Sequence, residues 1–281
     1  MLTNVDKLKK CEIEYLMKTE GSIWDYFEML KKYSDFENCN SISPRIIAYE
    51  DVNSPNLVDI RKQMNLDILK EGDDEIKYLI FLKKYAYDML NFEGKSLNQK
   101  TYDNLSFSEI INDARNKGYA LNCRYISYIF CQMLLSVGFK ARWVVCLSSD
   151  LYNNECHCVT EVYVNKLKKW VVVDASFGTF YFGERGELLN LYEMRNLYVN
   201  GKMPILVADD SKHVKNIQLY WIKNIFRFRF IAYNGTNALK KEQLYWGLNP
   251  KGFKMRDKSY YEIDSEVKVS INYFNNAKMF W

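Results

Sequence analysis

A thiol at Cys123, an imidazole at His157 and a carboxylate at Asp174 follow one another in this chain in the order nucleophile, base, partner of the base. A thiol becomes a strong nucleophile once it loses its proton, and an imidazole held in place by a carboxylate is suited to take that proton. The setting of Cys123 strengthens the case. Ile126, Ile129, Phe130, Met133, Leu134 and Val137 recur on one helical face and Gly138 follows them, so the spacing predicts a helix from about 123 to 137. Asn122 reads as its N-cap. Cys123 then lies in the first turn, where unpaired N–H groups and the positive end of the helix dipole favour a thiolate.

The elements that must bring the other two groups to it can also be read. KARWVVCL, 140–147, is β-branched and aromatic enough for a strand, and HCVTEVYV, 157–164, alternates, with His157, Val159, Glu161 and Tyr163 on one face. KWVVVD follows after the turn residues 165–168. If the two strands form a hairpin, a four-residue loop pairs Val164 with Lys169 and hence Val159 with Asp174. His157 and Asp174 are then diagonal neighbours on one face, roughly 7 Å apart or less. A slip of one residue would send them to opposite faces. Glu161 shares the His157 face and is expected to form a structural ion pair with Arg142 or Arg124. Cys156 and Cys158 fall on the face opposite His157, and no Cys-x-x-Cys spacing occurs, so no zinc site is expected. The other histidine, His213, lies in a charged stretch read as a solvated loop, and the remaining cysteines read as small buried hydrophobes. Asp174 taken alone could be a simple turn former.

About sixty residues of this stretch resemble the transglutaminase-like superfamily, circularly rearranged relatives of papain-type thiol enzymes. The elements that carry the resemblance are Cys123-Arg124-Tyr125, Gly138 to Trp143, His157 with Glu161, and Trp170 to Asp174 followed by Ala175-Ser176. Asn122 stands where many relatives carry Gly, and Ala175 where Pro often follows the Asp. The resemblance implies an α+β fold in which a nucleophile helix packs on an antiparallel sheet. It implies Cys123 as nucleophile, His157 as general base and Asp174 as the residue that orients the imidazole. The oxyanion would rest on the Cys123 backbone N–H and a second donor, for which Asn122 and Tyr119 are the candidates. A peptide or carboxamide substrate follows, with hydrolysis favoured over transfer to an amine; a binding protein that keeps the fold without turnover is the alternative.

The rest of the chain sets bounds. Its 281 residues are 48% hydrophobic and 26% charged, with 12 Gly and 4 Pro, which suits a compact globular body with few flexible linkers. The net charge is only +4 and the lysine pairs are scattered, so nucleic-acid binding is not expected. No apolar leader or long apolar run is visible, and seven cysteines without framework spacing fit a reducing cytoplasm. No glycine-rich phosphate loop suggests a cofactor. Helices are expected over 2–20, 22–33, 55–70 and 73–92, the last with Ile76, Leu79, Ile80, Lys83 and Tyr87 as one stripe. A capping box at Ser106 and Glu109 starts a helix that Gly118 ends. Beyond Asp174 come a strand, a turn at Gly183 to Gly186, helices near 190–199 and 217–225, and FRFRFIAY, whose Phe226, Phe228 and Phe230 should face inward with Arg227 and Arg229 in solvent. SYYEIDSEVKVSINYF holds two more strand candidates, and Tyr181 and Phe182 could border the cleft. The expected partition is a helical N-terminal extension over 1–100, the core over 101–200 and a C-terminal α/β extension over 201–281 that joins the same body.

Overall fold

The computed structural model describes residues 21–36, 47–90, 92, 105–150, 156–209, 214–236, 238–239, 244–253, 270–274, 277 and 280–281. The first described elements are α1 (Gly21–Lys32), β1 (Ala48–Tyr49), α2 (Pro55–Gln63), α3 (Glu75–Met89) and α4 (Phe107–Lys117). Then come α5 (Cys123–Ser136), β2 (Lys140–Leu147), β3 (Cys156–Val164), β4 (Lys169–Asp174) and β5 (Thr179–Phe182). The remaining elements are α6 (Leu191–Val199), β6 (Ile205–Ala208), α7 (Val214–Asn224), β7 (Arg227–Ile231), β8 (Tyr233–Asn234), β9 (Leu244–Leu248) and β10 (Ser270–Phe274). The fold is α+β.

Eight strands form one sheet in the order β10-β9-β7-β2-β3-β4-β5-β6. Every pairing is antiparallel except that of β10 with β9. Because side chains alternate across a strand, the sheet feeds two separate cores. Trp143, Cys158, Val162, Val171 and Val173 meet α2, α3, α4 and α5 on one face. Val144, Val159, Val172, Tyr181, Phe228 and Phe230 meet α1, α6 and α7 on the other. Helix α5 is buried at every residue from Tyr125 to Ser136, which fixes its first turn relative to the sheet.

Several local expectations hold at the level of single residues. Ser106 and Glu109 make the reciprocal capping box, and Gly118 ends α4 with φ +66°. The turn at 165–168 closes the β3–β4 hairpin with Val164 opposite Lys169 and Thr160 opposite Val173.

Others are corrected. Helix α2 stops at Gln63 rather than running to Lys70, because Asn65 turns left-handed at φ +51°. The following segment instead ties to the end of α5 through a Leu69 N–H bond to Val137 O of 2.8 Å. On α3 the inward stripe is Leu79, Leu82, Lys83 and Ala86, and Ile80 is half exposed. Arg227 and Arg229 are both buried, since β7 lies between β2 and β9 with helices and C-terminal residues over it. Arg227 Nε donates to Ser148 O at 3.1 Å. The expected helix at 2–20, His213 and the first strand candidate before 270 lie outside the described residues. Among the described residues no helix is long and apolar enough to cross a membrane.

Candidate active site

His157 is the second residue of β3 and Asp174 the last of β4. The hairpin register brings them together: His157 Nε2 lies 2.6 Å from Asp174 Oδ2, and both side chains are fully buried. The carboxylate is held from other sides as well. Its Oδ1 accepts from the Ser176 N–H at 3.1 Å, and Oδ2 accepts from the Tyr181 hydroxyl at 3.2 Å. The Tyr181 oxygen in turn accepts from Trp221 Nε1 at 2.7 Å. An aromatic enclosure of Phe177, Tyr220 and Trp221, with ring centres 5.1 to 5.4 Å away, surrounds the imidazole.

Cys123 opens α5, as its sequence position predicts. The Asn122 side chain caps the helix by accepting from the Tyr125 N–H at 3.2 Å. The approach is set by Gly118, by a Tyr119 N–H bond back to Asp113 O, and by a bridge between Leu121 and Phe92. The Cys123 sulfur lies 3.9 Å from the Cys156 carbonyl oxygen. With Nε2 committed to Asp174, Nδ1 is the remaining ring nitrogen, and it is buried with no hydrogen-bond partner among the described residues. Cys123 and His157 are nonetheless close enough to shift one another's protonation.

Those shifts have identifiable causes. The neighbouring Cys158 thiol is the largest influence holding the Cys123 pKa well below the ordinary thiol value. Burial works the other way, and the nearby His157 with its positive charge, together with the Cys158 backbone, completes the lowering. For His157, burial favours the neutral ring. The charge and hydrogen bond of Asp174 outweigh it, Cys123 adds to them, and the imidazole is raised to about 10. Both shifts favour the thiolate and the imidazolium, and a pair in that state can attack a carbonyl carbon and hand a proton to a leaving group.

Of the two oxyanion candidates, Asn122 is committed through Oδ1 to the cap, and Tyr119 stands at the exposed entrance to α5. Glu161 pairs with Arg142, its direct cross-strand neighbour, at 2.7 Å and with both side chains buried. It also accepts from the Leu191 N–H and from Trp281 Nε1, which makes it a structural centre apart from the thiol. Phe177, Tyr220 and Trp221 were not read from the sequence as site residues. Phe177 lies in the turn between β4 and β5, and Tyr220 and Trp221 reach His157 only because α7 crosses the sheet face behind it, a tertiary placement with no local signal. Tyr181 was singled out as a cleft or core residue, and it is a core residue whose hydroxyl reaches Asp174. Among the described residues no group of three or more His, Cys, Asp or Glu is placed to hold a metal.

Residues 63–175 match the model of the transglutaminase-like superfamily. A solved structure of a candidate cysteine protease from Cytophaga hutchinsonii is similar at 15% identity and a TM-score of 0.32, over 62% of this chain and 51% of that one. The match thus spans about half the length of that protein. No curated protein matches the chain. Residues 63–175, the stretch that holds Cys123, His157 and Asp174, are therefore similar to the transglutaminase-like superfamily.

Proposed function

We propose that the protein is a cysteine-dependent acyl-transfer enzyme acting on peptide or carboxamide bonds. The observation that carries the reading is the buried 2.6 Å contact between His157 and Asp174, set behind a helix-start thiol whose pKa is held low. In this reading the Cys123 thiolate attacks the substrate carbonyl carbon, and the carbonyl oxygen takes up the negative charge. The backbone N–H of Cys123 is one donor to that oxyanion, with the Asn122 side-chain amide or the Tyr119 hydroxyl as candidates for the second. The carbon–nitrogen bond then breaks as the His157 imidazolium gives its proton to the leaving amine, and a thioester on Cys123 remains. Water, deprotonated by the now neutral His157, adds to the thioester and releases the acid, restoring the thiolate and imidazolium. Asp174 keeps the Nε2–H side of the ring fixed throughout, so that Nδ1 is the nitrogen that exchanges protons. An amine in place of water would make the same site a transamidase.

A second reading has its own support. His157 is wholly buried beneath Phe177, Tyr220 and Trp221, which favours a binding protein that keeps the constellation without turnover unless the half-buried Phe177 or Tyr220 moves aside. Iodoacetamide labelling separates the two. An activated Cys123 is alkylated at pH 6 much faster than the buried Cys131, whose own thiol is raised by burial beyond the normal range, and His157→Ala abolishes the advantage. Equal labelling of Cys123 and Cys131 would remove the enzyme reading. Release of amine from peptide amides, with and without an added primary amine, then distinguishes hydrolysis from transfer.

A further inference from the structure

A second thiol stands against the proposed nucleophile. Cys156 and Cys158 share the β3 face that α5 covers, while His157 points to the opposite face and Trp221. One helical turn separates Cys123 from Ser127 and two strand residues separate Cys156 from Cys158, spans of about 6 and 6.6 Å. The two elements therefore run in step. The Cys123 sulfur faces the Cys156 carbonyl at 3.9 Å, and Ser127 Oγ donates to the Cys158 carbonyl at 2.7 Å. Thr160 Oγ1 returns a bond to Ser127 O at 3.1 Å. This zipper seats the Cys158 side chain against the first turn of α5, buried from solvent and near enough to Cys123 for each thiol to shift the other's protonation. Both residues are thiols. The acyl-transfer cycle above makes no use of the Cys158 sulfur as a nucleophile.

We propose that Cys158 is the resolving thiol of Cys123, so that a hydroperoxide reaching the site leaves a reversible Cys123–Cys158 disulfide in place of an irreversibly oxidised nucleophile. The proposal rests on Cys123 being the activated thiolate. In the first step the Cys123 thiolate attacks the terminal peroxide oxygen and the O–O bond breaks. The products are a sulfenic acid on Cys123 and an alkoxide, or hydroxide from hydrogen peroxide, which takes up a proton from water. The sulfur has then lost two electrons to the peroxide. In the second step the Cys158 sulfur attacks the Cys123 sulfur, the S–O bond breaks, and the departing hydroxyl leaves as water with the Cys158 proton. Two thiols and one hydroperoxide thus give a disulfide, an alcohol and water, and two equivalents of an external thiol reverse the change.

The electrostatics set the order of these steps. While Cys123 is an anion, its nearness and charge, with help from Cys156 and burial, hold the Cys158 proton in place. Conversion of Cys123 to a neutral sulfenic acid removes that charge and frees Cys158 to attack. Resting Cys158 is therefore inert, and it becomes reactive only after its neighbour has been oxidised.

The test uses the full chain with an excess of hydrogen peroxide, enough to carry an unprotected thiol to the sulfonic acid, followed by digestion without reductant, mass spectrometry and iodoacetamide labelling before oxidation, after it and after dithiothreitol. A linked pair of Cys123 and Cys158 peptides is expected, with labelling of Cys123 lost on oxidation and restored by dithiothreitol. Cys156→Ser should keep the link. Cys158→Ser should instead carry Cys123 on to sulfinic and sulfonic acid, with recovery of labelling reduced by about fivefold or more. Detection of the linked peptide in the unmutated chain does not depend on whether either variant folds. A Cys123–Cys156 link, sulfinic acid on Cys123 of the unmutated chain, or equal recovery in Cys158→Ser would overturn the proposal. If Cys123 before oxidation is labelled no faster than Cys131, the enzyme reading itself fails; if it is labelled fast and no link to Cys158 forms, only the resolving role fails.

Discussion

Asp174 accepts three hydrogen bonds, from His157, Tyr181 and Ser176, so its carboxylate has almost no freedom to rotate away from the imidazole. That immobility keeps Nε2 of the ring at the carboxylate and leaves Nδ1 as the nitrogen not taken by it. The pH behaviour follows from the two shifts. His157 is raised in the fold, so its contribution to stability is complete below its ordinary value of 6.5 and is lost as pH rises toward about 10. Cys123 is lowered, so its contribution is complete above the ordinary thiol value of 9.0 and is lost as pH falls through its depressed value. Alkylation needs only the thiolate. Its rate should fall on the acid side and show no decline above pH 10. Amide cleavage also needs the imidazolium proton, so its profile should gain an alkaline limb near pH 10; a single-limbed cleavage profile would contradict the assignment of His157. Tyr181→Phe removes only the hydroxyl that links Trp221 to Asp174, leaving the buried Trp221 N–H without its acceptor. Urea unfolding should register a loss of about 1 to 3 kcal/mol.

At the scale of elements, the β3–β4 hairpin and the start of α5 were legible because short-range chemistry determines both. A four-residue turn fixes the register that joins His157 to Asp174, and Asn122 caps α5 one residue before the thiol. Asn122→Ala should therefore cost about 1 kcal/mol of stability, measured by denaturant unfolding, and should slow Cys123 alkylation by loosening the first turn. The misread elements were decided by distant partners. FRFRFIAY has the letters of a half-exposed strand, but β7 lies inside the sheet between β2 and β9 and both of its faces pack into cores, Ile231 on one side and Phe228 and Phe230 on the other, so Arg227 and Arg229 are buried. The sequence after Gln63 still alternates apolar and polar residues, yet pairing of Leu69 with Val137 draws it away from the helix. The turn that follows Asp174 is tied down in a similar way. Lys83 on α3 donates to Gly178 O at 2.7 Å and to Asp209 at 2.8 Å, linking that helix to the turn and to the residue after β6. Lys83→Met should destabilise the chain by about 3 kcal/mol, the low end for a broken buried pair because Asp209 keeps some contact with water. Gly178→Ala should be as disruptive for a different reason: its φ is +60°, and an added Cβ would meet Asp209 Oδ2 at 2.7 Å and the Tyr87 ring at 3.0 Å.

Across the whole molecule, the matched stretch 63–175 supplies α5 with Cys123 and the strands that carry His157 and Asp174, and the other described elements pack around it. Strands β5 and β6 extend the sheet beyond β4, while β7, β9 and β10 extend it beyond β2. Helix α7 covers His157 from the face opposite α5. The far end of the chain reaches back to the centre of the sheet. Arg142 and Glu161 face each other across β2 and β3, Phe280 O accepts from Arg142 at 2.8 Å, and Trp281 Nε1 donates to Glu161 at 2.9 Å. Arg142 is also packed against the Trp170 and Phe230 rings. Two charges removed from water at such a point stabilise the fold only as a matched set, and loss of one leaves the other without compensation. Glu161→Ala should therefore cost about 3 to 5 kcal/mol, and Arg142→Met a similar amount. The double variant Arg142→Met/Glu161→Ala should be more stable than the sum of the single losses requires, because neither buried charge then remains. Urea unfolding of the four proteins measures this coupling directly. Additive losses would mean that the pair does not act as a unit. In whatever fraction stays folded, Cys123 should be alkylated at the unaltered rate, since the ion pair supports the sheet and touches none of the reacting atoms.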